Sequence, residues 1–341
     1  MKLLIVTQAV DTEDPALGFF VGWIQEFAKH VQSIEVICLK EGKHDALPTN
    51  VRVHSLGKER GKRSRLAYAV RFKFLAWKLR HHYDVVFVHM NEEYVLIAGP
   101  LWRLLGKRIY LWCNHARGSW RTMLAVAFSD KVFCTSKQAY TARFKKTVLM
   151  PVGIDTDRFV SGAPRERQTG SILFLGRLDP VKRLDLFAAA CATLSSEPPR
   201  EVHVYGDPTS GNEAYADNLK RKYVTVPHLS FHAGVSNEAA ASLYRTHDMY
   251  VNLTASGSFD KTIGEAMASG CIVVCANEAL RGVVPDARIV SGTIESVQSG
   301  IKEALALSGK EREREHTIIR EYVVREHSLE KLCTSLFNEL T

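Results

Sequence analysis

Thr254-Ala-Ser-Gly-Ser-Phe-Asp-Lys-Thr-Ile-Gly-Glu-Ala-Met-Ala-Ser-Gly270 follows a short apolar run, Asp248 to Leu253, and precedes a β-branched one, Cys271 to Ala276. The unit therefore parses as strand, loop, helix and strand, the repeat of a parallel α/β sheet. Ser256, Gly257 and Ser258 keep the loop small enough for a ligand to approach the backbone. Asp260, Lys261 and Thr262 open the helix, where free N–H groups and the helix dipole favour an anion. Lys261 adds a full positive charge at that point. Glu265, about one turn further in, suits hydrogen bonds from sugar hydroxyls. Gly270 closes the helix as a left-handed cap. The plainer reading is an ordinary helix connection with a solvated Asp-Lys pair and an exposed Glu.

A second stretch of the same build weighs against the plainer reading. Leu173-Phe-Leu-Gly-Arg-Leu-Asp-Pro-Val-Lys-Arg-Leu-Asp185 again runs from strand through a small-residue turn into a helix, with Arg177 and Lys182 bracketing the turn. Two units that each deliver a cation to a strand end suit a diphosphate.

Together these residues resemble the retaining glycosyltransferases of family 4. The family pattern Gly-Arg-Leu-x-Pro-x-Lys is met by Gly176, Arg177, Leu178, Pro180 and Lys182, and its Glu-Ala-Met-Ala-x-Gly by Glu265, Ala266, Met267, Ala268 and Gly270. The resemblance implies the GT-B fold: α/β, with two Rossmann-like doubly wound parallel-sheet domains facing each other across a cleft. It departs from the pattern at Gly257, where the family has a Glu that contacts the donor sugar. Two replacements stand open: Asp260 from a shifted position, or Lys261 with the Ser-Gly-Ser backbone.

Length and composition agree with two domains. The chain has 341 residues, 46% hydrophobic and 24% charged, which suits a folded globular protein with two cores of ordinary size. No apolar run reaches the roughly 18 residues of a membrane span, and the first strand starts at Lys2, so a cytoplasmic protein is expected. Seven cysteines, mostly within apolar runs and without a Cys-x-x-Cys spacing, read as buried thiols. The net charge of +8 is uneven: residues 1–160 have 25 basic and 14 acidic side chains, or +11, and the remainder 20 and 23, or −3. A surplus confined to one half points to an anionic partner there.

Residues 58–82 concentrate that surplus, with Glu59 as the one acid. From Ser64 the spacing is helical, with Leu66, Ala69, Val70 and Trp77 on one face and Tyr68, Phe72, Leu75 and Leu79 on a second. One face is expected to pack on the sheet and the other to rest on an acidic membrane surface. The plainer alternative is a core helix with a solvated basic edge. Nucleic acid is not an expected partner, since no recognition motif accompanies the charge.

The first domain is read as residues 1–160, with strands at Lys2–Thr7, Ile34–Cys38, Val51–Ser55, Asp84–His89, Arg108–Cys113, Lys131–Thr135 and Val148–Met150. A helix after Gly18 carries Phe20, Trp23, Ile24, Phe27 and Val31 on one stripe. The resemblance places the donor's diphosphate by the Gly18 loop and a His at the end of the Arg108 strand between donor and acceptor. His115 is therefore the first candidate near the reacting centre, and His89 and Asn91 the acceptor-side candidates. Asp155 and Asp157 fall in the link between domains and not at a strand end, so no metal site is read there. The polar stretch Ser161 to Gly170 is the expected hinge.

The second domain, 161–325, repeats the strand–helix rhythm to a last strand at Arg288–Val290, and a helix over 326–341 is expected to cross back to the first. Gly206 and Val235 stand at strand ends and join the donor candidates Gly176, Arg177, Lys182, Ser258, Lys261, Thr262 and Glu265. The resemblance implies transfer of a hexose from a nucleotide diphosphate sugar to a hydroxyl, and the basic stretch 58–82 suggests a glycan or lipid-linked acceptor at the membrane, in building cell-surface polysaccharide. Configuration would be retained, without cofactor or metal ion, and Arg177, Lys182, Lys261, Asp260 and His115 would carry the chemistry. A nucleotide-sugar-binding protein of the same fold that has lost catalysis is the alternative, favoured by Gly257. A dinucleotide enzyme or P-loop kinase is disfavoured by the lack of Gly-x-Gly-x-x-Gly and of a Walker spacing.

Overall fold

The computed structural model describes residues 1–61, 63–162, 166–194, 201–256 and 259–340. The chain divides into two units, Met1–Gly153 with Leu329–Thr341, and Ile154–Ser328. The first boundary thus lies at Gly153 rather than 160. Of the expected hinge, residues 163–165 lie outside the described residues, whereas Gln168 to Gly170 belong to a strand and Arg167 is buried, donating to the carbonyls of Ser269 and His247.

In the first unit the order is β1 (Lys2–Val10), α1 (Phe19–Ala28), β2 (Ser33–Glu41), β3 (Val51–Ser55), α2 (Arg65–Lys78), β4 (Val85–His89), α3 (Glu92–Leu104), β5 (Arg108–Trp112), α4 (Trp120–Phe128), β6 (Lys131–Cys134) and β7 (Thr147–Leu149). All seven strands pair in parallel, in the order β3-β2-β1-β4-β5-β6-β7. A parallel sheet is covered on both faces, which is why its strands read as nearly continuous apolar runs. One face packs on α1, through Phe20, Trp23, Ile24 and Phe27. The other packs on α2, α3 and α4, through Phe72, Ala76, Tyr94, Val95, Trp102, Ala125 and Val126.

In the second unit the order is β8 (Gln168–Leu175), α5 (Leu184–Ala192), β9 (Glu201–Tyr205), α6 (Glu213–Tyr223), β10 (Leu229–His232), α7 (Asn237–Thr246), β11 (His247–Asn252), α8 (Lys261–Ala268), β12 (Ile272–Cys275), α9 (Ile294–Leu305) and α10 (Gly309–His327). Its five strands are parallel too, ordered β10-β9-β8-β11-β12. The last helix, α11 (Leu329–Leu340), is counted with the first unit and lies on α1, where Phe337 meets Phe27 edge-on, ring centroids 5.6 Å apart.

Two expectations need correction. No strand forms at Arg288–Val290: Asp286–Arg288 is a 3₁₀ turn, and a single bridge joins Cys275 to Ile289. Arg288 is 1% exposed and bound to Glu303 and Glu315 at 3.0 and 2.8 Å, so its side chain anchors a turn where a strand was read. Helix α4 was not foreseen. It is short, and Trp120, Met123 and Leu124 on it are exposed, which blurs the helical period. Ser119 and Thr122 start it with a reciprocal capping box.

All seven cysteines are buried free thiols. No helix among the described residues is long and apolar enough to cross a membrane.

Candidate functional site

A doubly wound sheet binds ligands outside the carboxyl ends of its strands, where neighbouring crossovers diverge. In the second unit that point lies between β8 and β11, because β9 and β10 wind away on one side and β12 on the other. The loop after β8 carries Gly176 to Lys182, and the loop after β11 runs into α8. Lys182 Nζ and Asp260 Oδ2 lie 2.6 Å apart, tying the two loops together across the switch point.

Asp260 is the N-cap of α8, not its first helical residue. Its Oδ1 accepts from the backbone N–H of Thr262 at 3.3 Å and from Thr262 Oγ1 at 3.0 Å, and its Oδ2 also accepts from Asn252 Nδ2 at 3.1 Å. Thr262 Oγ1 in turn accepts from the buried hydroxyl of Tyr250 at 2.8 Å. Burial works to raise the Asp260 acid, but the Lys182 charge and the bonds from Lys182, Asn252 and Thr262 outweigh it and hold the group at about 2. The anion that the α8 dipole favours is thus built into the chain. The carboxylate is engaged on both oxygens, which leaves it little capacity as the replacement sugar contact considered from sequence.

Lys261 begins α8, and Glu265 lies one turn on along the same side. Glu265 is 4% exposed, and Asn237 Nδ2 donates to its Oε1 at 3.4 Å, Asn237 being held by Arg158 at 2.9 Å. Burial pushes the Glu265 acid up and the Lys261 ammonium down, each partly offset by the other's charge. A half-buried cation and a buried carboxylate acceptor therefore lie along the first turn of α8. Arg177 is the most open of the cations: its side chain is 55% exposed and its Nε is 3.7 Å from Asp179 Oδ2.

Gly176 follows β8 with the aliphatic stem of Lys182 beside it, 3.7 Å from where a Cβ would stand. Gly206 follows β9, and a Cβ there would lie 1.9 Å from the Gly176 carbonyl oxygen. Gly206→Ala is accordingly expected to cost about 3 kcal/mol, as overpacking against backbone that cannot yield, and a urea titration would read it as a lower midpoint at unchanged slope. Val235 is half-buried in the loop after β10, next to Ser236, which caps α7. Gly257 and Ser258 lie outside the described residues.

In the first unit the corresponding switch point is between β1 and β4. Gly18 is the N-cap of α1, so tightly set that a Cβ would meet the carbonyls of Thr12 and Asp14 at 2.7 and 2.8 Å. His89 ends β4, but it is 2% exposed, stacked on Phe20 at 4.0 Å and 3.4 Å from Thr7 Oγ1, a place that suits packing rather than substrate contact. Met90 then takes φ 69°, and Asn91 N–H returns to the His89 carbonyl at 2.9 Å. This γ-turn is a strained form for a non-glycine residue. Asn91 is the N-cap of α3 without a side-chain cap bond, which leaves its amide unused at the strand end. His115 is exposed in the loop after β5, its carbonyl accepting from Tyr140 N–H at 2.8 Å.

Sequence reasoning missed Asn252, Tyr250 and Asn237, which hold the two ion clusters in place. Asn252 carried a signal, as a polar residue ending an apolar strand that leads into the loop.

Comparison with known proteins matches this arrangement. A family model described as glycosyl transferases group 1 covers residues 169–306, and one described as glycosyl transferase 4-like covers 13–118. D-inositol 3-phosphate glycosyltransferase of Geodermatophilus obscurus is 33% identical over 172 residues, 46% of this chain but 38% of that protein's length. Among solved structures, Anabaena Alr3699/HepE in complex with UDP superposes with a TM-score of 0.78 at 14% identity, over 100% of this chain and 99% of that one. Sucrose-phosphate synthase of Thermosynechococcus elongatus does so with 0.82 at 17% identity, over 99% and 98%. These likenesses carry the fold, GT-B. Two glycosyltransferase models thus match much of both units, on two parallel sheets ordered as described.

Proposed function

We propose that the protein transfers a sugar from a nucleotide diphosphate sugar to a hydroxyl of a glycan or lipid-linked acceptor, with retained anomeric configuration and without a metal ion. The observation that carries the reading is the Lys182–Asp260 pair at the α8 start, with Lys261 next to Asp260 in the chain and the open Arg177 in the same loop as Lys182. Breaking the sugar–phosphate bond leaves negative charge on the diphosphate, and preset cations stabilise charge that develops in the transition state. Arg177, Lys182 and Lys261 supply that role from the chain itself. Glu265, with Asn237, is the acceptor for the ribose hydroxyls. In this proposal no described carboxylate acts as a nucleophile, and the leaving phosphate oxygen takes the acceptor's proton on the face it departs from. His115 is proposed near the reacting centre and Asn91 on the acceptor side, each beyond a strand end of the first unit.

The protein would work in the cytoplasm, at the membrane surface where a lipid-linked acceptor or growing polysaccharide is presented. UDP and UDP-glucose in the Anabaena structures favour a UDP-sugar as the first donor to try. The test is a panel of UDP-, GDP- and ADP-sugars, read by thermal shift and by slow hydrolysis without acceptor. One donor that both stabilises the protein and is cleaved is the expected result. Stabilisation by free nucleotides with no cleavage, with or without candidate acceptors, would favour a binding protein, the reading to which Gly257 lends weight. An inverted product anomer would overturn the retaining step.

A further inference from the structure

Helices α2, α3 and α4 form one layer on a single face of the first unit's sheet. Among the described residues that unit exposes nine large hydrophobic side chains, and eight of them lie on this layer. On α2 they form a line: Leu66, Val70, Phe74 and Trp77 are 73%, 62%, 60% and 46% exposed, at i, i+4, i+8 and i+11. The same helix already buries Phe72 and Ala76 in the core, so the line is a second apolar face and not a displaced first one. Phe74 and Trp77 also border a shallow depression with Leu101 of α3. At the far side of the layer α4 exposes Trp120, Met123 and Leu124.

We propose that the outer face of the α2–α3–α4 layer docks on an anionic lipid bilayer, with the α2 line and the start of α4 lying in the headgroup boundary. Charge selects the occupant. Arg63, Arg65, Lys73 and Lys78 are exposed along the α2 line, and none of them makes an ion pair among the described residues. Arg80 lies over the Trp77 ring at 4.2 Å, and Arg121 over Trp120 at 5.7 Å, so each tryptophan sits beside a cation. An apolar line bordered by uncompensated cations, with aromatic rings between the two, is the pattern of a helix lying in a lipid interface. A second copy of the chain is a poorer occupant, because a two-fold contact would set these cations against themselves. The inference rests on the proposed membrane-borne acceptor for its purpose only, and it is tested without donor or turnover, so that either can fail alone.

The experiment is co-sedimentation of the full chain with phosphatidylcholine vesicles, with and without phosphatidylglycerol, at low and high salt. Binding is expected to the anionic vesicles, strongest at low salt. Phe74→Ser/Trp77→Ser should weaken it by about tenfold or more, from the loss of apolar area alone. Lys73→Gln/Lys78→Gln should lower the binding and flatten its salt dependence. Both variants change exposed residues, and an unchanged melting temperature confirms that they fold. Three outcomes would each overturn the proposal: no binding to anionic vesicles, serine variants that bind as the parent does, or a dimer in light scattering that the serine variants dissolve while vesicles go unbound.

Discussion

Asp260→Ala is expected to destabilise the second unit by about 3–5 kcal/mol, the usual cost of removing one member of a buried, hydrogen-bonded ion pair. The side chains of Lys182 and Asp260 are only 14% and 16% exposed, so the ammonium left behind finds little water. The same substitution removes the cap of α8 and one of the bonds that the Asn252 amide donates. Asp260→Asn keeps much of the hydrogen bonding and should cost less, while removing a specific sensitivity to acid. The folded carboxyl titrates at about 2 against an ordinary 3.8, so its ionised form is favoured by folding. That contribution, about 2 kcal/mol, is fully present above pH 4 and is lost as pH falls through about 2. Denaturant titrations between those limits would show the parent losing stability more steeply than Asp260→Asn. Parallel curves would mean that Lys182 does not hold the charge of Asp260 as described.

The second large effect is expected at Lys261. Lys261→Met should lower kcat by about 100- to 1,000-fold, the range for removing one preset electrostatic contact to a developing charge. It should also move the pH profile in a direction that a merely structural role would not. Burial raises the Glu265 acid and the Lys261 charge holds it down, so the methionine variant keeps Glu265 protonated to higher pH. A protonated Glu265 loses acceptor capacity for ribose hydroxyls. Donor KM in the variant should therefore fall with rising pH over a range where the parent changes less. Steady-state kinetics across that range give both numbers, and an unchanged kcat would remove Lys261 from the proposed machinery.

The strands and main helices were legible because parallel strands and their covering helices must be apolar in ways that leave a period. Val85 to His89 and Ile272 to Cys275 are buried along their whole length and read as such. Helix α4 and the turn at Arg288 were not legible: one exposes its apolar residues, and the other buries an arginine. At the site, the cations and Glu265 were found because their motif lies within one segment. The dual commitment of Asp260 was not, since it depends on Lys182 arriving from a loop 78 residues away and on Asn252 and Tyr250 beneath it. His89 shows the converse. A strand-end position favoured a substrate role, but Phe20 from α1 covers the ring, and only the packing reveals it.

Helix α11 has a consequence for how the protein is made. The face of α1 that bears Phe27 is covered in part by Phe337, and Leu332, Leu336 and Leu340 complete the same core. Those residues leave the ribosome after all of the second unit, so the nascent first unit spends most of synthesis with an apolar flank unsealed. Chains beginning to fold in this way are prone to misassembly, and the order of completion runs opposite to the order of synthesis. The second unit, continuous from Ile154 to Ser328, can close by itself; the first must wait for α11.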